Sequence, residues 1–133
     1  MRIQETGKPS YKGLKVYEKS YSLALEIYSE TKNMPKEEMY GLTSQIRRSA
    51  MSIPSTIAEG YGKKEHAAEY KRFLLMARGS CNEVRVWIDF CADLGYMSRE
   101  KQNSLQNSYE EVSKMIYGLI VSVSGDQNPP ASG

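Results

Sequence analysis

The residues with the widest chemical reach in this 133-residue chain are one histidine, two cysteines and a set of evenly spaced cations. Any Ser–His–Asp arrangement would have to use His66. That residue stands among Lys64, Glu65 and Glu69, in what reads as the polar first turn of a helix. A metal site needs three or four converging ligands, and a di-iron bundle needs a Glu-x-x-His on each of two helices. One histidine and two separated cysteines meet neither condition, so no metal and no cofactor is expected. On a single helix Cys81 and Cys91 would stand about 15 Å apart, beyond the roughly 7 Å a disulfide can span. Two free thiols suit a reducing compartment, and a cytoplasmic location is expected. Gly60-Tyr61-Gly62-Lys63-Lys64 places glycine and lysine ahead of a helix but lacks the spacing of a phosphate-cradling loop. Its glycines are expected to supply positive φ in a helix–helix turn. The chain reads as a non-enzyme.

The cations carry more information. Lys64, Lys71, Arg78 and Arg85 follow one another every seven residues. A helix drifts about 20° per heptad, so the four would share a strip about 60° wide and about 30 Å long. Such a line can follow a phosphate backbone without reading sequence. The competing reading is a solvated face with local ion pairs, since Arg85–Asp89 and Glu69–Arg72 are spaced to bond along the helix. Arg47-Arg48 is a second basic element. Consecutive helix residues point about 100° apart, so one arginine should turn to a neighbour such as Glu59 while the other faces a ligand. The candidate nucleic-acid-binding residues are therefore Arg47, Arg48, Lys64, Lys71, Arg78 and Arg85. A formal net charge of +2 hides an asymmetry. Residues 39–88 hold eight basic against four acidic side chains, and residues 89–133 hold three against six.

These residues must be positioned by helices. No apolar stretch reaches the roughly 18 residues of a membrane span, and MRIQETGKPS has no apolar region of the kind a secretory leader carries. Residues 1–10 read as a flexible arm, 11–124 as one four-helix domain, and 125–133 as a disordered tail. The first helix is expected over about Leu14 to Lys32, with Leu14, Tyr17, Tyr21, Ala24, Leu25 and Tyr28 as its apolar stripe. The second begins near Gly41–Leu42 and carries Leu42, Ile46, Ala50, Ile53 and Ile57 through Pro54. Proline removes a donor and clashes with the carbonyl of Ala50, which predicts a kink there, or a split with Ser52 as a new cap. The third, about Glu65 to Leu94, has Tyr70, Phe73, Leu74, Ala77, Cys81, Val84, Ile88 and Cys91 on its core side and Gly95 as its C-terminal stop. The fourth starts at Ser98, with Leu105, Tyr109, Val112, Ile116, Leu119 and Val123 as its seam. Four helices with short connections predict an all-α, up-down-up-down bundle with a proline kink in the second helix. Val16, Leu23, Ile27, Trp87 and Met115 fall off these seams and are expected to form a face between protomers.

Tyr40-Gly41-Leu42-Thr43-Ser44-Gln45-Ile46-Arg47-Arg48-Ser49-Ala50, then Ser52-Ile53-Pro54 and Ile57-Ala58-Glu59-Gly60, resemble the bacterial four-helix-bundle proteins encoded by intervening sequences of 23S rRNA genes, often labelled the S23 ribosomal protein family. The likeness continues through Glu69-Tyr70, Arg72-Phe73-Leu74, Ala77-Arg78-Gly79-Ser80 and Asp93-Leu94-Gly95-Tyr96, and covers about residues 11–123. It extends in fold to the accessory variability determinant of diversity-generating retroelements. The resemblance implies a homo-oligomer, a ring-like pentamer, rather than a structural ribosomal subunit. It also implies basic surfaces that meet nucleic acid. The expected function is a non-catalytic, oligomeric nucleic-acid-binding protein, for RNA or an RNA–DNA intermediate, largely independent of sequence. The alternatives are a ring-forming adaptor for a protein partner such as a reverse transcriptase, and a mobile-insertion protein with no substantial host function.

Overall fold

The computed structural model describes residues 10–125; the arm expected at residues 1–10 and the tail expected at 125–133 lie outside them except for Ser10 and Gly125. Four helices account for most of that span: α1 (Lys15–Glu30), α2 (Leu42–Tyr61), α3 (Ala67–Asp93) and α4 (Arg99–Val123). Short 3₁₀ turns stand at Tyr11–Gly13 and Lys36–Glu38, and no strand occurs among the described residues. Each helix packs on its neighbours in the chain, and α1 closes against α4. The result is an all-α four-helix bundle in up-down-up-down order, as the short connections require.

Local signals explain where the helices begin and end. Ser98 caps α4, its hydroxyl accepting from the Lys101 N–H at 3.0 Å, a bond worth about 1 kcal/mol at such positions. Gly95 takes φ +84° just past α3, where any side chain would be strained. His66 is the exposed N-cap residue of α3, so α3 starts two residues later than its sequence pattern implied and Lys64 lies in the preceding turn. Gly60 and Gly62 do not supply positive φ. Gly60 lies within α2, and a Cβ there would stand 2.6 Å from the Phe73 Cβ. The glycine there serves the packing of α2 on α3.

Helix α2 runs unbroken through Pro54, which is buried. The split with Ser52 as a cap does not occur. Instead the Ser52 hydroxyl donates to the Ser49 carbonyl at 3.0 Å, and Ser49 donates to the carbonyls of Gln45 and Ile46 at 3.0 and 3.2 Å. Serine hydroxyls that bond back into the helix satisfy themselves without ending it.

The core seams of α2 and α3 match their sequence patterns, with Ile46, Ala50, Ile53, Ile57, Leu74, Ala77, Cys81, Val84, Ile88 and Cys91 fully buried. In α4 the last core residue is Ile120, while Leu119 and Val123 are half-buried beside it. The first helix corrects the expectation. Its core face is Val16, Ser20, Leu23, Ala24 and Ile27, whereas Tyr21, Leu25 and Tyr28 are about half exposed. Val16, Leu23 and Ile27 are thus interior residues, not a face between protomers. Trp87 and Met115 also pack against the core. Tyrosine can lie across a surface with its hydroxyl in water, an option that Val, Leu and Ile lack. Ser20, the polar break in the true stripe, is satisfied by donating to the Tyr17 carbonyl at 3.1 Å.

Candidate nucleic-acid interface

Lys71, Arg78 and Arg85 follow one another at heptad spacing along α3, Arg78 and Arg85 against α4, and Lys64 precedes the helix. Lys71 is exposed and touches no other side chain by a polar contact. Arg78 is half-buried; its Nε lies 3.3 Å from the Ser113 Oγ and its guanidinium 4.9 Å from the Tyr117 ring. The Arg85 Nε donates to Gln106 Oε1 at 2.8 Å. Lys64 folds back on Tyr61, with Nζ 2.9 Å from the phenol oxygen and 4.2 Å from the ring centroid.

Every partner of these four cations is electrically neutral. The ion pair that spacing allowed between Arg85 and Asp89 does not form. The Asp89 Oδ1 accepts instead from Gln102 at 2.8 Å and Gln106 at 2.9 Å. Gln106 also donates to the Arg85 carbonyl at 2.8 Å. The other expected pair does form: the Arg72 Nε meets Glu69 at 2.8 Å, and this hydrogen bond holds the Glu69 carboxyl below its usual value. Arg72 is therefore compensated, while Lys64, Arg78 and Arg85 are held in place by neutral groups and Lys71 is held by none. Ordering a long side chain before a ligand arrives removes part of the entropy cost of binding.

Arg47 and Arg48 divide as consecutive helix residues should. Arg47 turns inward, but toward α1 rather than toward Glu59. Its Nε donates to Thr31 Oγ1 at 2.8 Å, an Nη2 reaches the Tyr28 carbonyl at 3.4 Å, and the guanidinium lies 4.0 Å from the Tyr28 ring. Arg48 is exposed and has no polar side-chain partner. The stripe on α3 and the arginine pair on α2 stand on different helices and do not form one cluster.

The thiols are poor nucleophiles. Burial pushes both Cys81 and Cys91 up to about 11, and the Cys81 Sγ donates to the Tyr109 carbonyl at 3.2 Å. Among the described residues no three His, Cys, Asp or Glu side chains gather as a metal site would need, and no helix is long and apolar enough to cross a membrane.

Two features escaped the sequence. Leu75, Val86, Phe90 and Leu94 form an apolar line on the outer face of α3, opposite its core side, and each is about half exposed. Gly79 lies in the same line, with open space around the Cβ it lacks. A helix apolar on both sides has a second surface to bury. The spacing of four, seven, four and four was present in the sequence, hidden beneath the stronger core pattern. The other feature is an open cleft of about 960 Å³ between the end of α1, the Lys36–Glu38 turn and α2 from Thr43 to Ser55. Lys32, Lys36, Arg47 and Arg48 line it, and no carboxylate does.

No curated protein matches this sequence. Among solved structures, a crystal structure of a protein of unknown function from the S23 ribosomal protein family of Bacteroides thetaiotaomicron is similar at 27% identity and a TM-score of 0.70, covering 79% of this chain and 97% of its own. The model of the family described as 23S rRNA-intervening sequence protein matches residues 12–118. With a match that spans most of the bundle, this chain belongs to the 23S rRNA-intervening sequence protein family.

Proposed function

We propose that the protein is a non-catalytic, self-associating nucleic-acid-binding protein that engages RNA, or an RNA–DNA intermediate, by charge rather than by sequence. The observation that carries this reading is the heptad line on α3: Lys71, Arg78 and Arg85, with Lys64 ahead of them, held only by neutral groups or by none. Cations so placed neutralise phosphates and release counterions, and backbone contacts of this kind carry no base information. Self-association multiplies the stripe, because each protomer adds its own +2 and the fields add. The surface for it is the outer face of α3, where Leu75, Val86, Phe90 and Leu94 lie exposed around Gly79. Gly in a helix interior costs about 1 kcal/mol relative to Ala. Nothing inside the protomer requires that cost at position 79. A second copy of α3 approaching there would require it. The expected pentamer uses this face.

An adaptor role, with a different protein on the same apolar face, is the second reading, and the variants separate the two. Arg78 and Arg85 also tie α3 to α4, so their charge and their structural bonds must be tested apart. Lys71→Gln, Arg78→Gln and Arg85→Gln together should flatten the salt dependence of binding by about 2.7, at roughly 0.9 per duplex phosphate contact. Arg78→Lys with Arg85→Lys breaks the same side-chain bonds and keeps the charge, and should leave the slope unchanged. Equal slopes in the intact protein and the triple Gln variant would remove the stripe from the function.

A further inference from the structure

We propose that the cleft between α1, the Lys36–Glu38 turn and α2 takes a short single-stranded segment of nucleic acid, with an unstacked base on Tyr40 and phosphates on Lys32, Lys36 and Arg48. This inference rests on the nucleic-acid reading above and gives the protein a second, chemically different site. Three observations meet in the cleft. It is lined by four cations and no carboxylate, in a protein whose positive and negative charges are nearly balanced overall. Of the two acids in the adjoining turn neither lines it, and Glu38 is engaged by the Tyr96 hydroxyl at 2.9 Å. Its volume of about 960 Å³ lies at the upper end of the roughly 300–1,000 Å³ typical of small-ligand sites.

The aromatic groups decide the class of ligand. Tyr40 lines the cleft and is 93% exposed, the most open large hydrophobic side chain among the described residues. It has no intramolecular polar or ring partner, so both faces of its ring are available. Tyr28 is different, because Arg47 already covers its ring. A paired base in a duplex is stacked on both sides and offers an exposed tyrosine nothing. An unpaired base offers a π-face, and aromatic stacking is the sequence-tolerant contact of single-strand binders. Arg47 also lines the cleft. Two of its five donors are engaged by Thr31 and Tyr28, and the remaining N–H groups have no protein partner. Ser44, Ser52 and Ser55 line the same wall; the Ser52 and Ser55 hydroxyls donate back into α2 at 3.0 and 3.2 Å, which leaves their oxygens able to accept from a sugar hydroxyl.

The test is a fluorescence-anisotropy titration of the full chain with three probes: a ten-nucleotide single strand, a duplex of equal length, and a polyglutamate peptide of equal charge. Tyr40→Ala touches no packed group and should weaken single-strand binding about tenfold, within the range one base–aromatic stack confers. Tyr40→Phe should restore it, and duplex binding should not change in either. Lys36→Gln with Arg48→Gln should reduce the single-strand salt slope by about 1.4, at roughly 0.7 per contact. Unchanged single-strand affinity in Tyr40→Ala overturns the inference while leaving the α3 stripe standing. Equal affinity for polyglutamate, insensitive to Tyr40, overturns it in favour of an acidic-peptide site. An intact protein that binds neither strand form refutes this inference together with the reading it rests on. Competition by a free mononucleotide at the same Tyr40-dependent affinity would assign the cleft to mononucleotides and overturn the strand assignment.

Discussion

Gly60→Ala tests whether the α2–α3 contact is as tight as it looks. Two effects of opposite sign compete. Alanine is the better helix former by about 1 kcal/mol, so an unconstrained Gly→Ala change in a helix should stabilise. At position 60 the added Cβ would stand 2.6 Å from the Phe73 Cβ, 3.4 Å from Tyr70 Cδ1 and 3.5 Å from Phe73 Cγ. Optimal carbon–carbon separation is about 3.5–4.0 Å, so α2 and α3 must part by about 1 Å or Phe73 must shift at its root. Both Phe73 and Tyr70 are buried, and neither can yield by swinging into solvent. Overpacking of this kind costs about 1–3 kcal/mol, which exceeds the propensity gain. The net expectation is a loss of up to about 2 kcal/mol, a fall of up to roughly 10 °C in Tm for a domain of this size. Gly118→Ala is the control, because Gly118 lies inside α4 with nothing within 4 Å of its missing Cβ. It should gain about 1 kcal/mol. Urea titrations followed by circular dichroism at 222 nm read both. A Gly60→Ala protein as stable as the Gly118→Ala protein would refute the steric argument.

Tyr109→Phe should stabilise the protein by about 1 kcal/mol in the same assay, because the buried Tyr109 hydroxyl has no hydrogen-bond partner and removing it leaves nothing orphaned; a loss of stability would mean that the hydroxyl is satisfied. The thiols give an alkaline signature. In the folded chain Cys81 and Cys91 keep their protons up to about 11, while an unfolded chain releases them near pH 8.5. Between those values the native state holds more protons, so stability is complete below pH 8.5 and falls as pH rises through 11, a slope that Cys81→Ala should reduce and that neutral-pH alkylation of the folded protein should confirm by being slow. Pro54→Ala restores a backbone donor toward the Ala50 carbonyl and should leave a stable bundle with an altered oligomer size, if a bend at Pro54 sets the protomer's shape; light scattering that returned the wild-type size with an unchanged helix path would remove that role from the proline.

The fold was legible because three of the four helices carry their core residues at unambiguous spacing. In α3 eight predicted core positions are all buried, since Leu, Val, Ile, Phe and Cys there have no polar alternative. In α1 two stripes compete, and counting Tyr17, Tyr21 and Tyr28 as apolar favours the wrong one. The difference is that a tyrosine is content half-exposed and an isoleucine is not. The cations were legible by type and spacing only. What each one touches depends on residues far away in sequence, such as Ser113 for Arg78 and Gln106 for Arg85, and no local pattern encodes that. The same holds for Arg47, whose partner is Thr31 across the α1–α2 contact and not the carboxylate that charge alone suggested. The cleft was the least legible feature, because three separate segments supply its cations and its tyrosine.

Binding of nucleic acid by charge is the activity proposed for this protein. Its most direct test is a titration of the intact chain with an unrelated RNA and an unrelated DNA across a range of salt concentrations. Binding to both is expected at low salt, with log K falling linearly against log salt at a slope of several units and little difference between sequences. No binding to either at low salt, or an affinity that does not respond to salt, would contradict it.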